Sequence, residues 1–103
     1  MRKIIKTNFG MEVIFAQETW MTASFLEIGT GKETEYKTAP FDITYYIEDG
    51  MARFTLNGRD YEFGTGKTVT IRKGTKYRIK TMSVSKLIKI TNYIYKDRDF
   101  TQV

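Results

Sequence analysis

Short segments in which every second residue is apolar recur along the chain. In "FDITYYIED" Ile43, Tyr45 and Ile47 take alternate places, and in "MARFTL" Ala52, Phe54 and Leu56 do; Val69 with Ile71, then Tyr77 with Ile79, continue the pattern. Side chains two apart on an extended chain share a face, so each segment predicts a strand with one buried and one wet side. Arg78 and Lys80 straddle Ile79, which sends the basic side chains of that strand away from the core. Earlier, "RKIIKT", "MEVIFA" and "TASFLEIG" read as strands broken at Gly10 and Gly29, and the polar "GKETEYKTAP", closed by Pro40, reads as a loop. Asn57-Gly58 lies between two strand-like runs and is a strong signal for a two-residue hairpin. "KTVTIR", "KYRIKT" and "KLIKITNYIY" follow, with turns at Lys73-Gly74 and Ser83. No segment carries the period of a long amphipathic helix. About nine short strands at regular spacing predict an antiparallel all-β sandwich or barrel.

Composition sharpens this picture. The 103 residues suit a single domain, 1–103, with one core. Seven Tyr, seven Phe and frequent Ile and Thr favour strands. The start, "MRKIIKTNFG", lacks the apolar run of a secretory signal, and no stretch approaches membrane-spanning length. With no cysteine, disulfides and thiolate metal sites are excluded, and a cytoplasmic setting is the expectation. The absence of histidine removes the usual general base near neutral pH and the commonest metal ligand, and with them Ser-His-Asp and Cys-His chemistry.

The net charge of +5 is unevenly spread. Lys67, Arg72, Lys73, Lys76, Arg78, Lys80, Lys86, Lys89 and Lys96 fall between Phe63 and Lys96, where there is no acidic residue; the remainder is net acidic. Such a half can serve an anionic partner, or it can keep outward strand faces and sheet edges from pairing. The exposed-aromatic interleaving of single-strand nucleic-acid binders is missing, which favours the second use over nucleic acid. The "GTGKT" at Gly64–Thr68 looks like the end of a phosphate loop. The first glycine of such a loop would fall at Tyr61, however, and the residues after it alternate as a strand does, so the nucleotide reading fails.

Two other glycine frames fit. From Gly31 to Gly50 the spacing resembles the first motif of the cupin superfamily, Gly-x5-His-x-His-x3/4-Glu-x6-Gly, with Lys37 and Ala39 at the two His positions and Ile43 at the Glu position. Gly66 and Gly74 resemble the second motif, Gly-x5-Pro-x-Gly-x2-His-x3-Asn, with Arg72 for Pro, Tyr77 for His and Thr81 for Asn. The resemblance spans residues 28–90 and implies a cupin-like double-stranded β-helix, a jelly-roll barrel with a central cavity open at one end. Cupin enzymes typically hold a transition metal with the three His and one Glu. At those positions this chain has an ammonium, two side chains without donor atoms and a lone phenol, so the expectation is no metal and no cofactor.

What remains is a metal-independent cupin-like protein binding a small anionic molecule in its cavity. The expected lining is Tyr45, Phe54, Tyr77 and Ile79, with Lys37 or Arg72 pairing the anion. Catalysis is left open: a desolvated Lys37 with Tyr77 or Tyr45 could support a metal-independent lyase or isomerase, although inward aromatic residues more often pack than react. The competing class is a non-catalytic interaction or structural module using the basic face, Lys76, Arg78 and Lys80. The Ser83–Lys86 run, the Glu33/Glu35 pair and Glu48-Asp49 read as ordinary turn and loop residues, and Trp20 as a packing anchor. Ile4, Ile5, Val13, Ile14 and Phe15 exceed what a small barrel interior needs, which predicts a homodimer.

Overall fold

Ten strands and no helix form among residues 3–7, 9–18 and 21–91, the part of the chain that the computed structural model describes. Trp20 and Lys96 lie outside the described residues. The strands are β1 (Lys3–Lys6), β2 (Gly10–Glu18), β3 (Met21–Ile28), β4 (Lys37–Thr38), β5 (Ile43–Asp49), β6 (Met51–Leu56), β7 (Arg59–Gly64), β8 (Thr68–Ile71), β9 (Lys76–Thr81) and β10 (Ser85–Thr91). All pair antiparallel in two sheets: a six-stranded sheet in the order β1-β2-β3-β10-β5-β8 and a four-stranded sheet in the order β4-β9-β6-β7. From β4 onward the chain crosses between the sheets at nearly every turn, the winding of a jelly roll.

The turns follow from their residues. Asn57 (φ 48°) and Gly58 (φ 84°) both take the left-handed region, as a two-residue hairpin that matches strand twist requires, and they join β6 to β7 with Leu56 opposite Arg59. Gly50 sits where the chain leaves one sheet for the other, between β5 and β6. Its φ is 111°, and a Cβ there would lie 2.4 Å from Ser85 Oγ. Ser85 itself is buried and donates to the Met51 and Ser83 carbonyls, so the Ser83–Lys86 run is structural.

The interior faces carry the core. Ile43, Tyr45 and Ile47 of β5, Ala52 and Phe54 of β6, Val69 and Ile71 of β8 and Tyr77 and Ile79 of β9 are buried, as the alternation predicts; Leu87 of β10 joins them, and Leu56 is partly buried against them. Phe54 stacks between Tyr45 (centroids 5.4 Å apart) and Phe63 (5.6 Å, edge-on). One departure concerns the polar loop. Lys37 and Thr38 form the two-residue strand β4 against β9, and Glu33 bridges Lys80, because backbone bonds from Thr34 to Ile79 and from Ala39 to Thr75 hold the segment down.

Candidate functional site

β4 places its side chains alternately: Tyr36 and Thr38 point to solvent, Lys37 and Ala39 inward. Lys37 lies directly opposite Tyr77 of β9, and its Nζ stands 6.0 Å from the Tyr77 ring centroid. A side-chain hydrogen bond joins Tyr77 to Tyr45 of β5 on the facing sheet. Two residues that the alternation of the sequence does not single out complete the group. One row of the six-stranded sheet runs Ile14, Ser24, Lys89, Tyr45, Val69, all facing inward, and Glu12 projects from β2 one step along. Glu12 Oε2 and Lys89 Nζ are 3.6 Å apart, with side chains 1% and 6% exposed. Among the described residues these are the fully buried charged side chains.

The electrostatics follow from burial. Desolvation, followed by the neighbouring Lys89 charge, pulls the Lys37 ammonium down to about 8, against the opposing pull of Glu12 and Glu35. Lys89 is also lowered, chiefly by burial, with Glu12 acting against the fall. Burial pushes the Tyr77 phenol up to about 12, and its bond to Tyr45 tempers the rise. Among the described residues the group thus holds two lysines against one buried carboxylate. Ser24 Oγ and Glu12 Oε2, both buried here, have no hydrogen-bond partner among the described residues, and buried polar atoms are seldom left that way.

Of the six residues expected to line the site, Lys37, Tyr45 and Tyr77 come together around this charge cluster, and Phe54 and Ile79 belong to the apolar core beside it. Arg72 stands apart. Its side chain is 80% exposed, it pairs with Asp42 at 3.5 Å, and it lines an outer cleft of about 510 Å³ with Leu56, Asn57, Arg59, Tyr61 and Phe63.

Three comparisons bear on the fold. No family model matches the chain, and no curated protein does. Solved structures do. An RmlC-like cupin from Shewanella frigidimarina NCIMB 400 superposes with a TM-score of 0.84 at 12% identity, over 94% of this chain and 88% of that one. KdgF from Halomonas sp. gives 0.82 at 14%, covering 95% and 91%. The chain has the cupin fold. A cupin superfamily protein from Desulfitobacterium hafniense DCB-2 is similar too, with a TM-score of 0.77, 17% identity and 86% and 82% coverage. At such identities the likeness concerns the fold alone.

The cupin frame allows the metal question to be put to the donor set. Lys37 and Tyr77 sit side by side, while Ala39 and Ile43 are packed in the core. An ammonium repels a cation, and Ala and Ile offer it nothing. No three Asp, Glu, His or Cys side chains converge among the described residues. These residues do not fit the three-His, one-Glu centre.

Proposed function

We propose that this cupin-fold protein binds a small anionic molecule between its sheets, at the cluster of Lys37, Lys89, Glu12, Ser24, Tyr45 and Tyr77. The observation that carries the reading is the charge imbalance. Holding the Lys37 cation partly out of water, with no carboxylate at ion-pair distance among the described residues, is costly, and a carboxylate or phosphate would cancel the excess while accepting hydrogen bonds from the Ser24 and tyrosine hydroxyls. Binding to the folded state raises its melting temperature with ligand concentration. Acetate, pyruvate, succinate and inorganic phosphate, each titrated against sodium chloride of equal ionic strength, should include at least one that raises the Tm. The rise should vanish in Lys37→Met and persist in Arg72→Ala. A response to none of them, or an equal one in Lys37→Met, contradicts the reading.

The basic face supports the alternative module less well. Arg78 pairs with Glu33 at 3.8 Å and stacks 4.4 Å over Tyr36, and Arg53 pairs with Glu62 at 2.8 Å, so acidic residues from elsewhere in the chain interleave with the basic ones.

The outer face of the six-stranded sheet supports a homodimer. Ile4, Val13, Phe25, Ile88 and Tyr46 are successive cross-strand partners and form an apolar row roughly 19 Å wide, with Phe15 and Ile90 nearby. Ile4 is 58% exposed. Contiguous apolar surface of this kind marks an interface, and a two-fold pairing of the row with itself covers it in both subunits. Sedimentation analysis should give a dimer that Ile88→Glu converts to monomer; a monomeric parent protein would dismiss it.

A further inference from the structure

We infer that Lys37 is a covalent anchor whose amine forms an imine with the carbonyl carbon of a small 2-oxo acid held at the interior cluster. The inference rests on the anion-binding reading above and narrows it to a substrate class.

Three features of the cluster assign Lys37 this part. The first is its position. Its side chain is half-buried, so it reaches both the interior and the solvent, whereas Lys89 is fully enclosed and engaged with Glu12. The second is its partners. No carboxylate stands within ion-pair distance of Lys37 among the described residues, and its neighbour is the face of Tyr77. The surface lysines Lys32, Lys67, Lys73 and Lys76 are exposed and stand outside this cluster. The third is the pairing of functions: Lys89, beside Glu12, is a second amine on which a carboxylate can settle next to Lys37, and Tyr77 and Tyr45 supply hydroxyls for the adjoining oxygen. A 2-oxo acid has a carbonyl and a carboxylate on neighbouring carbons, which is the combination such a pair of lysines would sort from neutral aldehydes.

The chemistry balances without an oxidant or reductant. The ammonium first gives a proton to solvent, and the nitrogen lone pair then adds to the carbonyl carbon. A proton moves from nitrogen to oxygen to give the carbinolamine. Taking one proton from solvent, the hydroxyl leaves as water, and a protonated imine remains. An amine lowered to about 8 is about one-tenth neutral at pH 7, which supplies the free base that the first step needs. Tyr77, raised to about 12, keeps its phenolic proton throughout and remains a donor.

The test is reductive trapping on the intact chain. The protein is incubated with pyruvate and cyanoborohydride at pH 7.5 and digested, and the adduct is located by mass spectrometry. Trapping at Lys37 should outpace that at Lys32, Lys67, Lys73 and Lys76 by roughly tenfold or more. It should also outpace trapping of Lys37 by propanal at the same concentration, and it should disappear in Lys37→Arg. Adducts spread evenly over the surface lysines overturn the inference, as does equal trapping by propanal. Because the parent protein gives the decisive map, a variant that fails to fold does not obscure the result. Should pyruvate raise the Tm in a Lys37-dependent way and yet leave no adduct there, the imine is refuted while anion binding stands. If no anion stabilises the protein and no adduct forms, both fail.

Discussion

Two ion pairs in this protein join the same kinds of group and do opposite things. Arg53 and Glu62 face each other on the outside of the four-stranded sheet at 2.8 Å, with side chains 35% and 52% exposed. Glu12 and Lys89 meet at 3.6 Å inside the sandwich, almost wholly out of water. The outer pair has better geometry, yet solvent screens it and it is worth little. The inner pair has poorer geometry and far higher stakes, since neither charge can turn to water when the other is lost. Charge on the outside dresses a sheet; charge on the inside makes a site.

Removing half of the inner pair is the severest way to probe this difference. Lys89→Met leaves Glu12 buried without its ion-pair partner, with only the half-buried Lys37 nearby, and should cost up to about 3–5 kcal/mol in urea denaturation. Adding Glu12→Leu to Lys89→Met removes the stranded charge and should return most of that loss, or exceed it. A single substitution that costs less than about 1 kcal/mol would mean that the cluster is hydrated and that the contrast with the surface pair is false.

The same contrast explains what the sequence disclosed. Strands, the Asn57-Gly58 hairpin and most of the core were legible because β5, β6, β8 and β9 have one apolar and one polar face. The glycine spacing was legible because Gly31, Gly50, Gly66 and Gly74 all take positive φ. Glu12 and Lys89 were not. In "KLIKIT" the alternation offers two faces, Leu87-Lys89-Thr91 and Ile88-Ile90, and the uniformly apolar Ile88-Ile90 face has the composition of a core. The structure instead buries Leu87, Lys89 and Thr91 and turns Ile88 and Ile90 outward. In β2, likewise, Met11 and Val13 flank Glu12 and face outward while it faces in. A sheet that is apolar on both sides makes the period-2 pattern ambiguous. The available clue was the surplus of apolar residues near the start of the chain: Ile4, Val13 and Phe15 lie on the outer face, whereas Ile14 turns inward. Arg72 lies apart from the cluster for a different reason. Its motif position lies in a turn, and turn residues point where solvent lets them.

Titration offers a gentler probe of the inner region. Well below pH 8 Lys37 is protonated in both folded and unfolded chains, and the folded state bears the full cost of its burial. Between about 8 and the ordinary value of 10.5 the unfolded chain binds more protons, so stability rises with pH, by at most about 1.4 kcal/mol per pH unit from this group. Lys89, lowered in the same sense, adds to the rise. Tyr77 acts oppositely from pH 10 to about 12, where the unfolded phenol ionises first. Urea midpoints should therefore climb from pH 7.5 to 9.5, less steeply in Lys37→Met. A flat profile, or an unchanged slope in the variant, would remove Lys37 from the buried cluster.

The outer pair should barely register. Glu62→Gln leaves Arg53 free to turn into water, so the lost attraction is replaced by hydration and no stranded charge remains. Urea midpoints of this variant and the parent should agree within error at 0.15 M salt, where the Debye length is about 8 Å. Any small difference seen at low salt should fade as salt is added. A loss that survives high salt would show that the outer face, too, holds its charges out of reach of solvent, and the distinction between dress and site would have to be drawn elsewhere.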